Sequence, residues 1–450
     1  MSLTLTVGND CLLQGFSSEL EKALKAQLTI ANPQYTNAKK YGRWIGKKLK
    51  PELTYYQPAS GGGRFPRGFA NRAVVLCREM EGQDPEIIDK RRLLEEVDFQ
   101  FTGTLRPYQE VAVEKAAKRS FGVIEAGTGS GKTVIALAII ACRRQPTLVL
   151  VHTRELLYQW QQRALEFLEV ETGLVGDGHF EIRPLTIAIV NTARKRVAEL
   201  VPQFGQLIVD ECHRVPTSLF TDVVSLFDSH FLLGLSATAF RSEGEMTRLI
   251  YWFLGDRIHE VPQEELVAVG AILAPEVIRR STPFTCHYSG DYQALIKALV
   301  IHEGRNVMIL NDILKIIQEP DSGTILVVSD RLSHCEFFER KLREAGADVA
   351  LLSGQLPTDA RAAVVDAVRG GKVRVLVATL QLIGEGFDCP GLSTLFLCTP
   401  ISFEGRLLQV IGRVMRPAKG KRARVFDYVD ENIPTLMRSA QSRALVLSRL

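Results

Sequence analysis

The sequence predicts an α/β protein whose two main domains are doubly wound parallel sheets, with a small accessory domain in front of them. Short apolar strands alternate with helical stretches in two consecutive blocks, which is typical of parallel sheets covered by helices. Polar, proline-bearing sequence at 281–291 separates the blocks and indicates a hinge. We therefore predict domains over residues 1–100, 101–280 and 281–450, with strands at 149–151, 186–190, 207–209 and 231–235 in the first block and at 324–328, 349–352, 373–377 and 394–397 in the second.

A glycine-rich segment lies between a predicted strand and a predicted helix of the first block. Such a turn gathers backbone N–H groups beside the positive end of the helix dipole, where they bind phosphate. Lys132 adds a mobile charge for the β- and γ-phosphates, and the Thr133 hydroxyl can ligate Mg²⁺. Ala126 stands where the usual pattern has glycine, so a glycine-rich turn with an accidental lysine is the alternative. The expected triphosphate site consists of Ala126, Gly127, Thr128, Gly129, Ser130, Gly131, Lys132 and Thr133.

Two acidic residues, Asp210 and Glu211, end the apolar strand predicted at 207–209. Ligands of parallel sheets bind at the carboxyl ends of the strands, so we expect this strand end beside the phosphate-binding loop. Asp210 can hold Mg²⁺, and Glu211 can orient and deprotonate an attacking water. Either residue alone could be a solvated strand end. Together with the glycine-rich loop they predict a site that hydrolyses a nucleoside triphosphate.

Composition narrows the class of protein further. The chain has 450 residues, which favours about three domains, and a formal net charge of +4. Its eight cysteines show no metal-like spacing, so free thiols in a reducing compartment are expected. Neither a secretory segment nor an apolar run long enough for a bilayer is visible. We therefore expect a cytoplasmic protein with no membrane partner.

The motifs and their order resemble those of the superfamily-two helicases and translocases. They lie at 106–109 (glutamine motif), 126–133 (P-loop), 210–213 (DEAD/DEAH-type box), 236–238, 384–388 and 409–416. Segments 105–109 and 264–275 and the pair Arg305-Asn306 resemble the XPB/UvsW-like branch. The resemblance covers roughly residues 103 to 430. It implies two tandem RecA-like domains that couple ATP hydrolysis, at a cleft between them, to 3′-to-5′ movement on DNA.

The resemblance also implies roles for single residues. Arg106 and Gln109 would read adenine, and Gly386 and Asp388 would contact the nucleotide. Gln409, Arg413 and Arg416 would act on it from the second domain, the two arginines as fingers that share one face of a predicted helix. A solvated basic helix face is the alternative. Coupling between nucleotide and nucleic acid would run through His213, Ser236 and Thr238.

Residues at other strand ends are candidates for nucleic-acid contacts. Contacts of this kind reach backbone phosphates and carry little sequence specificity. For each candidate an ordinary polar loop residue is the alternative. By resemblance the candidates are Thr153, Arg154, Asn191, Thr192, Ser329, Arg331 and Thr379.

The segment 31–78 has the sharpest charge asymmetry of the chain. It holds ten Lys or Arg residues and one acidic residue, Glu52, with seven aromatic residues interleaved. Basic residues mixed with aromatic ones suit nucleic acid, through counterion release and base stacking. In the alternative, the aromatic residues form the core of a small domain and the basic ones solubilise it. Residues 1–100 are therefore predicted to bind DNA, with partner proteins as the other possibility.

The favoured function is an ATP-driven motor on single-stranded, duplex or branched DNA, in repair, recombination, or phage or defence DNA processing. A duplex translocase that separates no strands stays open, as does an RNA helicase. A nucleotide-gated binding or scaffold protein is the alternative from another class. Intact Lys132, Asp210 and Arg413 argue against that alternative, because a vestigial site usually loses one such residue.

Overall fold

The computed structural model describes residues 2–40, 44, 49–214, 218–237, 245–320, 322–383, 389, 391–401 and 404–450. Its contacts group the chain into two compact units, Met1–Ala126 with Gly131–Glu260, and Gly127–Ser130 with Val261–Leu450. The boundaries predicted at residues 100 and 280 concern independently folding domains and stay a prediction. Among the described residues, no helix is long and apolar enough to cross a membrane.

The N-terminal part of the first unit has a five-stranded sheet in the order β5-β6-β2-β1-β7 and a separate pair, β3-β4. The strands are β1 (Thr4–Val7), β2 (Asp10–Gln14), β3 (Thr29–Ala31), β4 (Glu52–Thr54), β5 (Gln57–Ala59), β6 (Gly62–Pro66) and β7 (Glu86–Asp89), and the helices are α1 (Ser18–Gln27), α2 (Pro33–Lys40) and α3 (Ala70–Glu81).

An eight-stranded sheet follows in the order β11-β10-β12-β9-β13-β14-β8-β15. The six strands from β10 to β8 in this order are parallel, which confirms the predicted fold class. The strands are β8 (Phe121–Ala126), β9 (Thr147–Val151), β10 (Gly173–Gly176), β11 (His179–Phe180), β12 (Leu185–Ile189), β13 (Gln206–Val209), β14 (Phe231–Ser236) and β15 (Arg257–Val261); the helices are α4 (Pro107–Ala117), α5 (Lys132–Arg143), α6 (Arg154–Leu168), α7 (Val190–Lys195), α8 (Val197–Leu200), α9 (Ser218–Val224) and α10 (Glu245–Leu254).

The helix after the glycine-rich loop, α5, is apolar almost all round because it is buried on most sides. Leu137, Ile139 and Ile140 are at most 1% exposed. Each such side chain stabilises the fold by roughly 1.5–3 kcal/mol. This packing fixes the start of α5 on the sheet.

The N-terminal part and the large sheet share one hydrophobic core. Leu249 and Trp252 of α10 pack into the core of residues 3–77. A Cβ on Gly68 would lie 2.2 Å from the carbonyl oxygen of Tyr251, so only glycine permits this approach. The buried Arg67 guanidinium donates to the carbonyl oxygen of Ser229 at 2.7 Å. The described residues of the segment 1–100 are therefore packed on the first block.

The aromatic residues of the basic segment lie mostly inside. Tyr56, Phe65 and Phe69 are at most 5% exposed, and Tyr55 packs against Trp252. The expectation that these four residues stack on bases is wrong, because the core holds their rings. Lys39 is exposed, whereas Arg67 is buried.

The second unit has a six-stranded parallel sheet in the order β16-β21-β20-β17-β19-β18. The predicted strand 373–377 begins two residues later, at Val375. The strands are β16 (Glu276–Ser281), β17 (Thr324–Ser329), β18 (Val349–Leu352), β19 (Val375–Thr379), β20 (Leu392–Leu397) and β21 (Arg424–Val429); the helices are α11 (Gln263–Ala268), α12 (Tyr292–Ile301), α13 (Glu303–Ile317), α14 (Leu332–Glu344), α15 (Thr358–Arg369), α16 (Leu380–Ile383), α17 (Glu404–Val414) and α18 (Pro434–Leu447).

Candidate nucleotide site and nucleic-acid contacts

The glycine-rich loop runs from the end of β8 to the start of α5. Gly129 and Gly131 adopt left-handed backbone angles, with φ of 90° and 79°, which glycine takes without strain. Among the described residues, no side chain caps α5, whose N-cap is Gly131. The first N–H groups of this helix are therefore suited to an anionic ligand, as a phosphate would be.

Gln109 lies against the glycine-rich loop. A Cβ on Gly131 would be 2.5 Å from Nε2 of Gln109, so the glutamine side chain fits only because Gly131 has none. Its Oε1 accepts from the backbone N–H of Arg106 at 2.9 Å, which fixes the side chain at the start of α4. The structure thus brings the glutamine motif to the loop, where its role as an adenine reader stays a prediction.

The acidic pair follows β13, whose carboxyl end lies at the same sheet edge as that of β8. The two strands are not neighbours, since β14 lies between them. The two strand ends are nevertheless close enough for Lys132, at the start of α5, to act on both carboxylates. The Asp210 carboxylate accepts from Trp160 Nε1 at 2.8 Å and from the Glu211 backbone N–H at 2.9 Å. Glu211 itself has φ of 48°, a left-handed conformation that costs a non-glycine residue about 1–3 kcal/mol.

Charges around the acidic pair shift both pKa values. Burial raises the pKa of Asp210, and the adjacent Glu211 raises it further. Trp160 and Lys132 act in the opposite direction and lower it. Burial also acts to raise the pKa of Glu211, but Lys132 and the neighbouring histidines outweigh it and leave this pKa well below its usual range. His213 contributes directly, with Nδ1 3.4 Å from Glu211 Oε2. Glu211 is therefore ionised at neutral pH.

The donor set fits Mg²⁺ bound together with a triphosphate. One buried carboxylate, Asp210, and one half-buried carboxylate, Glu211, lie near one lysine, so a divalent cation would offset the excess negative charge. Mg²⁺ is usually held by one or two carboxylates plus phosphate oxygens rather than by a full protein cage. Among the described residues, no group of three His, Cys, Asp or Glu could hold a metal ion. Asp210 and the Thr133 hydroxyl are the candidate ligands.

The candidate coupling residues divide into described and undescribed ones. Ser236 is buried at the end of β14, the strand between the loop-bearing strand and the strand before Asp210. His213 lies beside Glu211. Thr238 lies outside the described residues. Two of the three are thus at the carboxyl edge of the first sheet.

The candidate nucleic-acid residues of the first unit follow strands of that same edge. Thr153 caps α6, its hydroxyl accepting from the Leu156 N–H at 3.3 Å. The exposed Arg154 pairs with Asp177 at 2.9 Å. Asn191 is exposed and Thr192 half-buried at the start of α7. Thr153 therefore stabilises the start of α6, and its contact with nucleic acid stays a prediction.

In the second unit, Ser329 and Thr379 end neighbouring parallel strands, β17 and β19. Thr379 and Asp330 line a cavity of about 250 Å³. Burial raises the pKa of Asp330, although the nearby Arg406 and Arg331 act to lower it. The Arg331 guanidinium donates to Oε1 of Gln293 on α12. The Ser329 hydroxyl is hydrogen-bonded inside the unit.

The predicted finger residues do not share a helix face. Gln409 and Arg413 are buried on α17, and Arg413 Nε donates to the carbonyl oxygen of Ile383 at 3.1 Å. This helix ends at Val414, so Arg416 lies beyond it and the predicted shared face is wrong. A proline disfavours the helical conformation of the residue before it, and Pro417 follows Arg416. Gly386 and Asp388 lie outside the described residues.

Sequence reasoning missed one residue that supports the acidic site and one buried acidic residue beside the glycine-rich loop. Trp160 holds Asp210 from α6, fifty positions earlier in the chain. Glu125, just before the loop, is buried against the Tyr251 hydroxyl at 2.8 Å and Arg257 at 3.2 Å. No local pattern predicts the contact of Trp160, because the fold alone brings α6 to β13. Glu125 carried a usable signal, an acidic residue within an apolar strand.

Comparison with known proteins agrees with this arrangement. Residues 102–241 match the family model "Type III restriction enzyme, res subunit", and residues 289–418 match "Helicase conserved C-terminal domain". The "DNA 3'-5' translocase XPB2" of Sulfurisphaera tokodaii is 26% identical over 366 residues, 72% of this chain and 81% of that protein. A Rad25 helicase relative from Halobacterium salinarum is 30% identical over 329 residues, 70% of this chain but 52% of its own length.

Solved structures share the fold. The helicase domain of Pyrococcus furiosus Hef has a TM-score of 0.52 at 14% identity, over 76% of this chain and 98% of that one. Saccharomyces cerevisiae Dbp5 has a TM-score of 0.55 at 16% identity, over 77% and 92%. These likenesses confirm the tandem RecA-like fold.

By these matches the chain is similar to the superfamily-two DNA helicases and translocases, and among them to the XPB and Rad25 relatives. It is accordingly an ATP-hydrolysing enzyme.

Proposed function

We propose that this protein is a motor that hydrolyses ATP at the carboxyl edge of the first sheet and uses the energy to move on DNA or unwind it. The main support is the convergence of Asp210 and Glu211 with Lys132 at that edge, beside the glycine-rich loop. Carboxylates next to a lysine and an uncapped helix start suit a magnesium-bound triphosphate better than a neutral ligand.

The residues of the first sheet divide the chemistry between them. Lys132 pairs with the β- and γ-phosphates, Gln109 reads the adenine, and Asp210 with Thr133 holds Mg²⁺. When bound, Mg²⁺ neutralises charge on the phosphates. Glu211 is ionised but weakly basic, because its pKa is lowered. Its main contribution is therefore to orient the attacking water, with proton removal following late in the reaction.

The second sheet supplies positive charge for the transition state. Arg413 and Arg416 act as fingers on the γ-phosphate, supported by Gln409, while Gly386 and Asp388 contact the nucleotide. Fingers on one lobe and phosphates on the other make closure depend on ATP, which is the ligand-biased two-state element that a motor needs. His213, Ser236 and Thr238 transmit the nucleotide state toward the nucleic acid.

The substrate is DNA, and movement is 3′-to-5′. Relatives named as 3′-5′ DNA translocases or helicases support both points. The strand-end residues that follow the DNA backbone are Thr153, Arg154, Asn191, Thr192, Arg331 and Thr379, and Ser329 lies at one of these strand ends without touching it. The exposed basic residues of segment 31–78 add a second, sequence-independent DNA contact.

The ATPase rate with different nucleic acids tests this proposal. We expect single-stranded or forked DNA to stimulate hydrolysis strongly, and RNA of the same length to do so weakly. Equal stimulation by RNA would contradict the choice of DNA. A rate unaffected by every nucleic acid would favour a nucleotide-gated binding protein instead. The Glu211→Gln variant serves as the background control.

A further inference from the structure

The pair Arg305-Asn306 starts a buried polar network in the second unit. Arg305 is fully buried at the start of α13 and donates to both Asp430 carboxylate oxygens, at 2.7 and 3.3 Å, and to the Cys398 carbonyl oxygen at 2.8 Å. Thr282 donates its hydroxyl to the same carboxylate. This charge-assisted cluster fixes α13 against the carboxyl ends of β20 and β21.

Next to it, Asn306 begins a hydrogen-bond chain whose direction can be deduced. Its Nδ2 donates to the Val300 carbonyl oxygen at 2.8 Å, so Oδ1 is the atom that faces His334 Nε2, at 3.0 Å. A carbonyl oxygen only accepts, and therefore His334 Nε2 carries a proton. Burial and the nearby Arg305 charge lower the pKa of His334 to about 3, so the ring is neutral. Its Nδ1 is consequently an acceptor.

The chain ends on the backbone of Arg331. Ser329 Oγ lies 3.0 Å from His334 Nδ1 and must donate its proton there. The same oxygen accepts the backbone N–H of Arg331 at 3.2 Å. On the other side, the Asp330 N–H donates to the Thr399 hydroxyl at 2.9 Å. The turn 329–331 is thus held by side chains of α13, α14 and the segment after β20.

This direction changes the expected role of Ser329. Its only proton is committed to His334, so the hydroxyl cannot also donate to a phosphate. A serine beside a histidine suggests a nucleophile and its base, but both residues are 1% exposed and the far histidine nitrogen meets an amide rather than a carboxylate. The pair is therefore neither a nucleophile with its base nor a phosphate ligand.

We propose that Asn306, His334 and Ser329 are positioning residues, which fix the backbone of Arg331 so that its guanidinium meets a phosphate of the DNA backbone. This proposal rests on the motor function proposed above. Arg331 follows the carboxyl end of β17, and its side chain is steadied by Gln293. A charge held in place before binding loses less side-chain entropy when the phosphate arrives, so the chain raises affinity without touching DNA.

A double-mutant cycle tests whether Ser329 acts through Arg331. We expect Ser329→Ala to weaken DNA binding about threefold to tenfold, which is the size of one lost hydrogen bond. Combined with Arg331→Ala, it should add nothing, because the two residues would act as one unit. Ser333→Ala, an exposed serine on α14, is the matched control and should change nothing. Additive losses, or an unchanged affinity in Ser329→Ala, would overturn the proposal.

Two further measurements separate positioning from general destabilisation. In Ser329→Ala the DNA concentration for half-maximal ATPase should rise by the same factor, while the rate at saturating DNA stays within about twofold. In the unaltered full-length protein, ¹⁵N spectra of labelled histidine should show His334 as the Nε2–H tautomer, and an Nδ1–H tautomer would overturn the chain. If no nucleic acid stimulated ATP hydrolysis by the unaltered enzyme, the proposed motor function would be wrong. The role proposed for the hydrogen-bond chain would then be wrong as well.

Discussion

The carboxyl edges of the two parallel sheets use buried polar groups in opposite ways. The first edge concentrates charge: Lys132 acts to lower the pKa values of both Asp210 and Glu211, and Glu211 raises the pKa of Asp210. The second edge pairs its buried charges within the protein, as Arg305 with Asp430, and beside them Ser329 and His334 form a neutral hydrogen-bonded chain. Charge that must be offset by a ligand suits chemistry, whereas a satisfied neutral network suits rigid positioning. Under the proposed function, one architecture thus serves reaction in the first unit and recognition in the second.

Removing the lysine should break the first edge most severely. We expect Lys132→Ala to abolish both tight nucleotide binding and hydrolysis, because two carboxylates would then face the phosphates with no compensating charge. The measurement is nucleotide affinity together with phosphate release at saturating DNA. Lys118→Ala, an exposed lysine after α4, should match the unaltered protein. Retained turnover in Lys132→Ala would place the reaction elsewhere.

The next largest effect concerns the charge that the second domain contributes. Arg416→Ala should leave nucleotide affinity nearly intact but lower DNA-stimulated hydrolysis by about 10³-fold, the lower range for an arginine finger. Rates at saturating ATP, with and without DNA, measure this. The exposed Arg438, on α18, offers a control as Arg438→Ala. A normal stimulated rate would mean that the first edge works without the finger.

The basic segment tests whether phosphate contacts are confined to the sheet edges. Neutralising Lys39, Lys40, Arg43, Lys47 and Lys48 together should weaken DNA binding about tenfold or more at low salt, since each phosphate contact contributes about 0.9 to the slope of log affinity against log salt. ATPase at saturating DNA should persist. Of these five residues, only the side chain of Lys39 lies within the described part of the chain.

The control for this variant replaces Arg64, Arg72 and Arg78, which already pair with Asp10, Glu79 and Asp84. It should change the salt slope less. If neutralising all five residues changed neither the DNA affinity nor its salt dependence, this segment would be a solvated surface. Binding of partner proteins would then be the better explanation of residues 1–100.

The smallest effect sharpens the role of Trp160. Trp160→Phe removes a hydrogen bond that lowers the pKa of Asp210, so this pKa should rise further. Because only the ionised carboxylate binds Mg²⁺ well, the acid limb of the ATPase profile should move to higher pH, with a loss of about threefold to tenfold near neutrality. A pH profile at several Mg²⁺ concentrations measures the shift. An unmoved acid limb would remove Trp160 from the site.

The sequence predicted what is encoded locally and missed what the fold brings together. The glycine-rich loop, the acidic pair and most strands follow from neighbouring residues, and the predicted strands begin and end within two residues of the observed ones. Trp160 contacts Asp210 and His334 contacts Asn306, in each case tens of residues away in the sequence, so no local pattern predicts these contacts. The end of α17 could have been predicted, because Pro417 is visible in the sequence. For the aromatic residues after position 50, burial in a shared core was the correct alternative.

The most direct test of the account compares binding and turnover in Glu211→Gln. The substitution keeps the size of the side chain while removing the charge that orients the attacking water. We expect ATP to bind with near-normal affinity in the presence of DNA, while phosphate release falls by about 10²- to 10⁴-fold. Near-normal phosphate release would contradict the central claim, because the first sheet edge would then not be the place where Glu211 directs hydrolysis.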